Sequence, residues 1–398
     1  MIGKLGMTKT GALEKRIKRN VTARDHRFFV VVSPGLESVC RMELEGLFGK
    51  DRPVSVLEGG LEFTGQVTDL YRANLHLRTA SRILMRFADF SATDFRTLEK
   101  KVRDIPWELY LARSHMPVIH VTSRKSRLNH TGAIDQRFRE GIAWRLEMAD
   151  LPVPDESTPV SEQQVFVRVV QDRFELSLDS SGDLLYMRGL KTKGGKAPMR
   201  ENLAAGLLML SGYDGKMPLV DPMCGTGSFS LEAALMARHI PPGWFRAFAF
   251  ERWPCFREGA FRHIRSAAEE AMVRCTSPMI YASDIEEKAC LALSDTVKSA
   301  GLEDLVQVRQ ADALELEPPC PEKGLVMVNP PYGLRLGSEK ASRTLIENLF
   351  KSWETRFKGW RAGVVSPFDR PSVKIPGAMV RHRFHHGGLR LFLFTGKV

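Results

Sequence analysis

Cysteine is scarce in this chain. The six in 398 residues are Cys40, Cys224, Cys255, Cys275, Cys290 and Cys320, and no two form a C-x-x-C pair. That excludes a disulfide scaffold, and the histidine spacing supplies no zinc pattern. No metal is expected, and the thiols are read as reduced and mostly buried. Long apolar runs are also missing. A membrane span needs roughly 18 such residues, whereas the longest candidates here, such as residues 28–32, are strand-sized. The N-terminus has no apolar core followed by a small-residue cleavage site, so a cytoplasmic protein is expected. An acidic surplus is lacking too: 58 Lys+Arg face 47 Asp+Glu, a net charge of +11. That balance speaks to partners, not fold. Nucleic acid is the natural partner, because neutralising phosphates releases counterions.

The length suggests two or three domains. Residues 1–27 hold Lys4, Lys9, Lys15, Arg16, Lys18, Arg19, Arg24 and Arg27 against only Glu14 and Asp25. They lack an apolar period and read as a mobile basic arm. Strand and helix signals then alternate to about residue 180. They include a hairpin at Gly59-Gly60, a helix on which Ile134, Phe138, Ile142 and Leu146 repeat every fourth position, and a Pro- and Ser-rich loop at 151–164. The basic, glycine-containing stretch Lys191–Lys196 marks a domain boundary. Beyond it strands alternate regularly with helices, which argues for a parallel sheet covered on both faces. A hairpin turning at Gly387-Gly388 closes the chain, and no internal repeat is present.

The chemistry sits in the second half. Asp221-Pro222-Met223-Cys224-Gly225-Thr226-Gly227 joins a short apolar strand to a helix. It is not the G-x-G-x-x-G dinucleotide fingerprint, so NAD is disfavoured. In open α/β sheets, ligands lie at the carboxyl ends of strands. Asp284 ends the next strand and can accept two ribose hydroxyls; Glu286 could share or take that role. Asp312-Ala313 follows a third strand, where a carboxylate can receive an adenine amine. A lone acidic strand end is usually a helix cap, but here three occur in succession.

At the fourth strand end stands Asn329-Pro330-Pro331-Tyr332-Gly333. Two prolines remove backbone donors and fix the carbonyls outward. An exocyclic base amine is a poor nucleophile, because its lone pair is delocalised. The Asn329 side-chain oxygen and the Pro330 carbonyl can each accept one amine hydrogen, aiming the nitrogen at a sulfonium methyl, while Tyr332 stacks on the base. Such catalysis is positioning and electrostatics. The motifs together point to an S-adenosylmethionine-dependent methyltransferase of a nucleic-acid base.

These residues resemble the bacterial large-subunit ribosomal RNA (guanine-N2)-methyltransferase family, in its THUMP-containing single-module form. Asp221–Gly227 resembles its cofactor loop, Tyr281–Asp284 its second motif, residues 329–333 its catalytic motif, and residues 197–204, including Pro198 and Glu201, its cofactor-packing lead-in helix. The resemblance implies a Rossmann-like seven-stranded methyltransferase domain at 191–398. Before it come a ferredoxin-like element at 28–65 and a THUMP RNA-binding domain at 66–190, carried on looser likenesses at residues 77–84 and 121–130. It implies N2-methylguanosine in large-subunit RNA as product, with Arg124, Lys125 and Arg127 as phosphate contacts. A solvated strand end accounts for those three cations equally well. Transfer RNA guanine-N2 methylation, adenine-N6 methylation of RNA or DNA, and a silent RNA-binding assembly factor are the alternatives. His382, His385 and His386 read as a polar hairpin turn, and the aromatic stretch from Trp244 to Trp253 as packing of an insertion.

Overall fold

The computed structural model describes residues 11–112, 116–153, 163–190, 199–274, 279–331, 339–370 and 379–398. The first described element is a helix, α1 (residues 11–17), which continues through a π-helical turn, Lys18–Thr22. Ile17 and Val21 are buried in the core. The expected mobile arm is therefore wrong for residues 11–22. The cations of that stretch hid a short apolar stripe, and residues 1–10 lie outside the described residues.

Next come β1 (His26–Val32), α2 (Glu37–Phe48), β2 (Val54–Leu57), β3 (Gly60–Gly65), α3 (Val67–His76) and β4 (Ala80–Ser91). These six elements form a βαββαβ unit with strand order β2-β3-β1-β4. Ending the ferredoxin-like element at residue 65 would cut it in half. The unit needs α3 and β4, because β4 pairs antiparallel with β1 from Arg27 to Val32.

β4 is twelve residues long, and its far half pairs with a second set of elements. These are α4 (Phe95–Asp104), β5 (Val118–Arg124), α5 (Thr131–Met148), β6 (Gln164–Val170) and β7 (Arg173–Asp179). One seven-stranded sheet, β2-β3-β1-β4-β7-β6-β5, thus runs through the N-terminal half. The fourfold repeat on α5 faces inward: Ile134, Phe138, Ile142 and Leu146 are all buried.

The C-terminal half contains α6 (Glu201–Leu210), β8 (Leu219–Asp221), α7 (Ser228–Ala237), α8 (Glu258–Glu270), β9 (Ile280–Asp284), α9 (Glu287–Ser299), β10 (Val306–Gln310), β11 (Leu325–Val328), α10 (Glu339–Arg356), β12 (Arg361–Ser366), β13 (Val380–His386) and β14 (Leu389–Lys397). Their sheet has the order β10-β9-β8-β11-β12-β14-β13. The first five strands are mutually parallel, and β14 runs antiparallel to β12 and β13. Every residue of β11 is buried, as a central parallel strand requires. The three histidines lie on β13, so they belong to a strand, not to the turn that follows it.

The two halves are joined by a buried polar and aromatic seam. The Arg188 guanidinium donates to Glu232 at 2.8 Å, and Arg78 donates to the carbonyls of Ile240 at 2.7 Å and Leu235 at 3.3 Å. Tyr71 of α3 stacks on Phe250 with centroids 4.5 Å apart, and Phe248, Phe256 and Phe261 enclose that pair. Phe248, Phe250 and Trp253 of the aromatic stretch are buried, as expected from the sequence, whereas Phe245 is exposed.

Candidate active site

The strand order reverses between β8 and β11: β9 and β10 lie on one side, β12, β14 and β13 on the other. A crevice opens at the carboxyl ends where such a reversal occurs. The glycine loop follows β8 and Asn329 follows β11. Val220 pairs with Val326, and β8 and β11 end one and two residues beyond that pair, so the two strands end side by side. The fold therefore brings two motifs over a hundred residues apart to one spot.

The loop is held from below and from the side. Asp221 is buried, and its carboxylate accepts from Ser230 Oγ at 2.6 Å. It underpins the loop from within the protein. The backbone N–H of Cys224 donates to Ser283 O at 2.9 Å, and that of Gly225 donates to Asp284 Oδ2 at 2.9 Å. Gly227, at φ +78°, caps α7, and an added Cβ there would meet Leu293 at 2.2 Å. The left-handed backbone disfavours any side chain there, and Leu293 would have to shift to admit one. A Cβ on Gly225 would meet nothing within 4 Å, so the loop borders open space. Met223 and Thr226 are half-buried beside it. Cys224 is buried, and burial with the nearby Asp221 and Asp284 carboxylates pushes its thiol up, which keeps it inert.

The carboxylates divide. One oxygen of Asp284 holds Gly225 N–H, while the other accepts from Glu286 N–H at 3.0 Å. Glu286 itself is exposed. Asp312 is exposed as well; its Oδ1 accepts from Leu314 N–H in a tight turn, and Ala313 is buried behind it. The lead-in segment reaches the loop through Met199 O, which accepts from Ser228 Oγ at 2.8 Å, and Glu201 opens α6, half-buried. Pro198 and Tyr332 lie outside the described residues, as do Cys275 and the boundary stretch 191–196. The other five cysteines are free thiols, four of them buried.

Asn329 is half-buried, yet its Oδ1 is sealed from solvent and has no hydrogen-bond partner among the described residues. A buried acceptor left unpaired costs about 1–3 kcal/mol. Pro330 is buried and Pro331 half-buried beside it.

Arg124, Lys125 and Arg127 stand on the far edge of the N-terminal sheet, all exposed. Arg124 faces Glu58 at 3.5 Å, an exposed pair worth little. Residues 77–84 include Arg78, which is spent on the seam between the halves and is not a free surface cation. Sequence reasoning missed the Arg188–Glu232 pair and the Ser228–Met199 tether. One signal was available: Glu232 is the single charged residue in helix 228–237. Among the described residues no group of three or more His, Cys, Asp and Glu side chains could hold a metal ion. No helix there is long and apolar enough to cross a membrane.

Comparison with known proteins agrees with the fold. Residues 188–370 match a family model described as the RMKL-like methyltransferase domain, and residues 27–84 one described as the RlmL ferredoxin-like domain. A Synechocystis protein described as a candidate RNA methyltransferase is 30% identical over 378 residues, spanning 92% of this chain and 96% of that one. The ribosomal RNA large subunit methyltransferase K/L of Cellvibrio japonicus is 32% identical over 351 residues, 85% of this chain and 46% of its own length. The chain thus spans about half the length of its K/L relatives. A candidate methyltransferase solved with S-adenosylhomocysteine superposes with a TM-score of 0.84 at 27% identity, covering 94% of this chain and 98% of that one. A structure titled as a predicted N6-adenine-specific DNA methylase, from Listeria monocytogenes, gives 0.82 at 27% identity, covering 94% and 96%.

Proposed function

The chain belongs to the RMKL-like family of S-adenosylmethionine-dependent methyltransferases, and from that premise we propose that it methylates guanine N2 in large-subunit ribosomal RNA. The sealed, unpartnered Asn329 Oδ1 carries the reading. A base amine entering the crevice supplies the missing donor. Asn329 Oδ1 takes one amine hydrogen and the Pro330 carbonyl the other, so the nitrogen lone pair points at the methyl group. When bound, S-adenosylmethionine would supply an electrophilic sulfonium methyl, and the glycine loop at 223–227 with Glu286 and Asp312 would hold it. Transfer of that methyl to the amine would release the amine proton to solvent. No ionised base is required.

Glu286, whose carboxylate is exposed, takes the ribose hydroxyls, and Asp312 the adenine amine. Asp284 positions the loop. Arg124, Lys125 and Arg127 hold RNA phosphates on the N-terminal half, residues 92–179 of which act as the RNA-binding unit. The names of the K/L relatives support ribosomal RNA. The Listeria structure's title favours a second reading, adenine N6, because that amine poses the same chemical problem.

The test incubates the protein with labelled cofactor and unmethylated ribosomal RNA, transfer RNA or DNA, then digests to nucleosides. N2-methylguanosine in large-subunit RNA is expected, and N6-methyladenine selects the second reading. Asn329→Ala should cut turnover at least about 100-fold, the scale of losing one oriented acceptor, with cofactor affinity retained. Unchanged turnover defeats the mechanism.

A further inference from the structure

The C-terminal hairpin carries no acidic residue. Residues 379–398 hold Arg381, Arg383, Arg390 and Lys397, three histidines and no Asp or Glu. Its position is set by register. Ser366, the last residue of β12, pairs with Phe392. β14 runs antiparallel to β12, so residues 389–391, their β13 partners 384–386 and the Gly387-Gly388 turn continue past the carboxyl edge of the sheet. That is the edge that carries Asp284 and Asn329.

Strand alternation puts Arg381, Arg383 and His385 on one face, with Arg390 directly opposite His385. Phe392 and Phe394 lie on the same face. Arg381 is committed: it pairs with Asp369 and lies over the Phe392 ring. Arg383 and Arg390 are exposed and form no ion pair with any described residue. The hairpin is also braced. Gly35, at φ +99°, packs so tightly on the outer edge of β13 that an added Cβ would meet Arg383 O at 2.2 Å. These cations therefore sit on a fixed strand pair, tied to the N-terminal half.

We infer that this hairpin is a phosphate clamp for the RNA strand that presents the target base, with Arg383 and Arg390 as its contacts. The inference rests on the RNA reading above. β13 lies three strand steps from β11, about 14 Å at ~4.8 Å per step. That places the clamp beside the Asn329 crevice, on the sheet half away from the ribose and adenine carboxylates. The arginines position backbone and carry no base readout.

The test compares wild type, Arg383→Gln/Arg390→Gln and Arg383→Lys/Arg390→Lys on unmethylated large-subunit RNA transcribed in vitro. RNA affinity is measured across a salt series, with KM and kcat. Each lost contact to single-stranded RNA should flatten the slope of log K against log salt by about 0.7, so the glutamine pair should lose about 1.4. KM for RNA should rise at least about tenfold while kcat and cofactor affinity hold, and the lysine pair should keep the slope. A glutamine pair with wild-type slope and KM overturns the clamp while leaving the methyltransferase reading intact. A wild type that neither binds nor methylates RNA overturns both.

Discussion

Asp284 and Glu286 stand two residues apart, but their surroundings give them different work. Asp284 spends both oxygens on backbone N–H groups and so shapes the glycine loop, while the Glu286 carboxylate faces solvent. Glu286→Gln should leave the melting temperature within about a degree and weaken cofactor binding roughly tenfold or more, the scale of a hydrogen bond to a charged group. Asp284→Ala should lower both, because the Gly225 N–H loses its acceptor. Calorimetric titration with the cofactor alongside thermal unfolding separates the two. Equal cofactor affinity for wild type and Glu286→Gln would sink the assignment. From the sequence, both acids were legible as candidates. Their division of labour was not, since it depends on which one the neighbouring loop approaches.

The N-terminal helix shows how an element can be hidden. Composition made residues 11–22 look like a solvated arm. Their cations are instead partly employed: the Arg16 guanidinium donates to Glu108 at 2.6 Å, and Arg145 donates to the same carboxylate at 2.8 Å. Burial alone would raise the Glu108 carboxyl, but these two arginines outweigh it and hold it low. With Ile17 and Val21 buried below, the helix is docked. Ile17→Ala should cost about 2 kcal/mol, the low end for deleting a buried isoleucine, read as a lower midpoint in urea with an unchanged slope. A loss under about 0.5 kcal/mol, the scale of a surface substitution, would mean that the helix contributes nothing. By contrast, β11 and α5 were readable because their periodicity matches the environment that each occupies.

At the scale of the molecule, the two sheets meet across charged groups that water cannot reach. His76 lies beside Arg72 and Arg78 at this joint. Burial first, and then those two guanidiniums, push it down to about 4 from its ordinary 6.5. The folded protein therefore holds this proton less tightly than the unfolded chain does. The stability linked to His76 is complete above about pH 6.5 and is lost as pH falls toward 4, by at most roughly 3 kcal/mol. His76→Gln should flatten that decline. Urea unfolding at pH 7.5, 5.5 and 4.5 checks it, and a difference between wild type and variant that stays constant with pH would refute it.

Local patterning determined a great deal by itself. The alternation of strands and helices announced a parallel sheet, and the strand-end motifs announced an S-adenosylmethionine-dependent methyltransferase. Those features are legible because each depends on neighbours only a few residues away. Tertiary structure decided what no window of sequence contains. It completed the βαββαβ unit by pairing β4 back onto β1, and it set the strand that ends at Asn329 beside the one that leads into the glycine loop. It also turned Asp221 inward to Ser230 and carried the C-terminal hairpin past the edge of the sheet. Each of these rests on contacts between segments distant in the chain, whose partners are chosen only when the whole core packs.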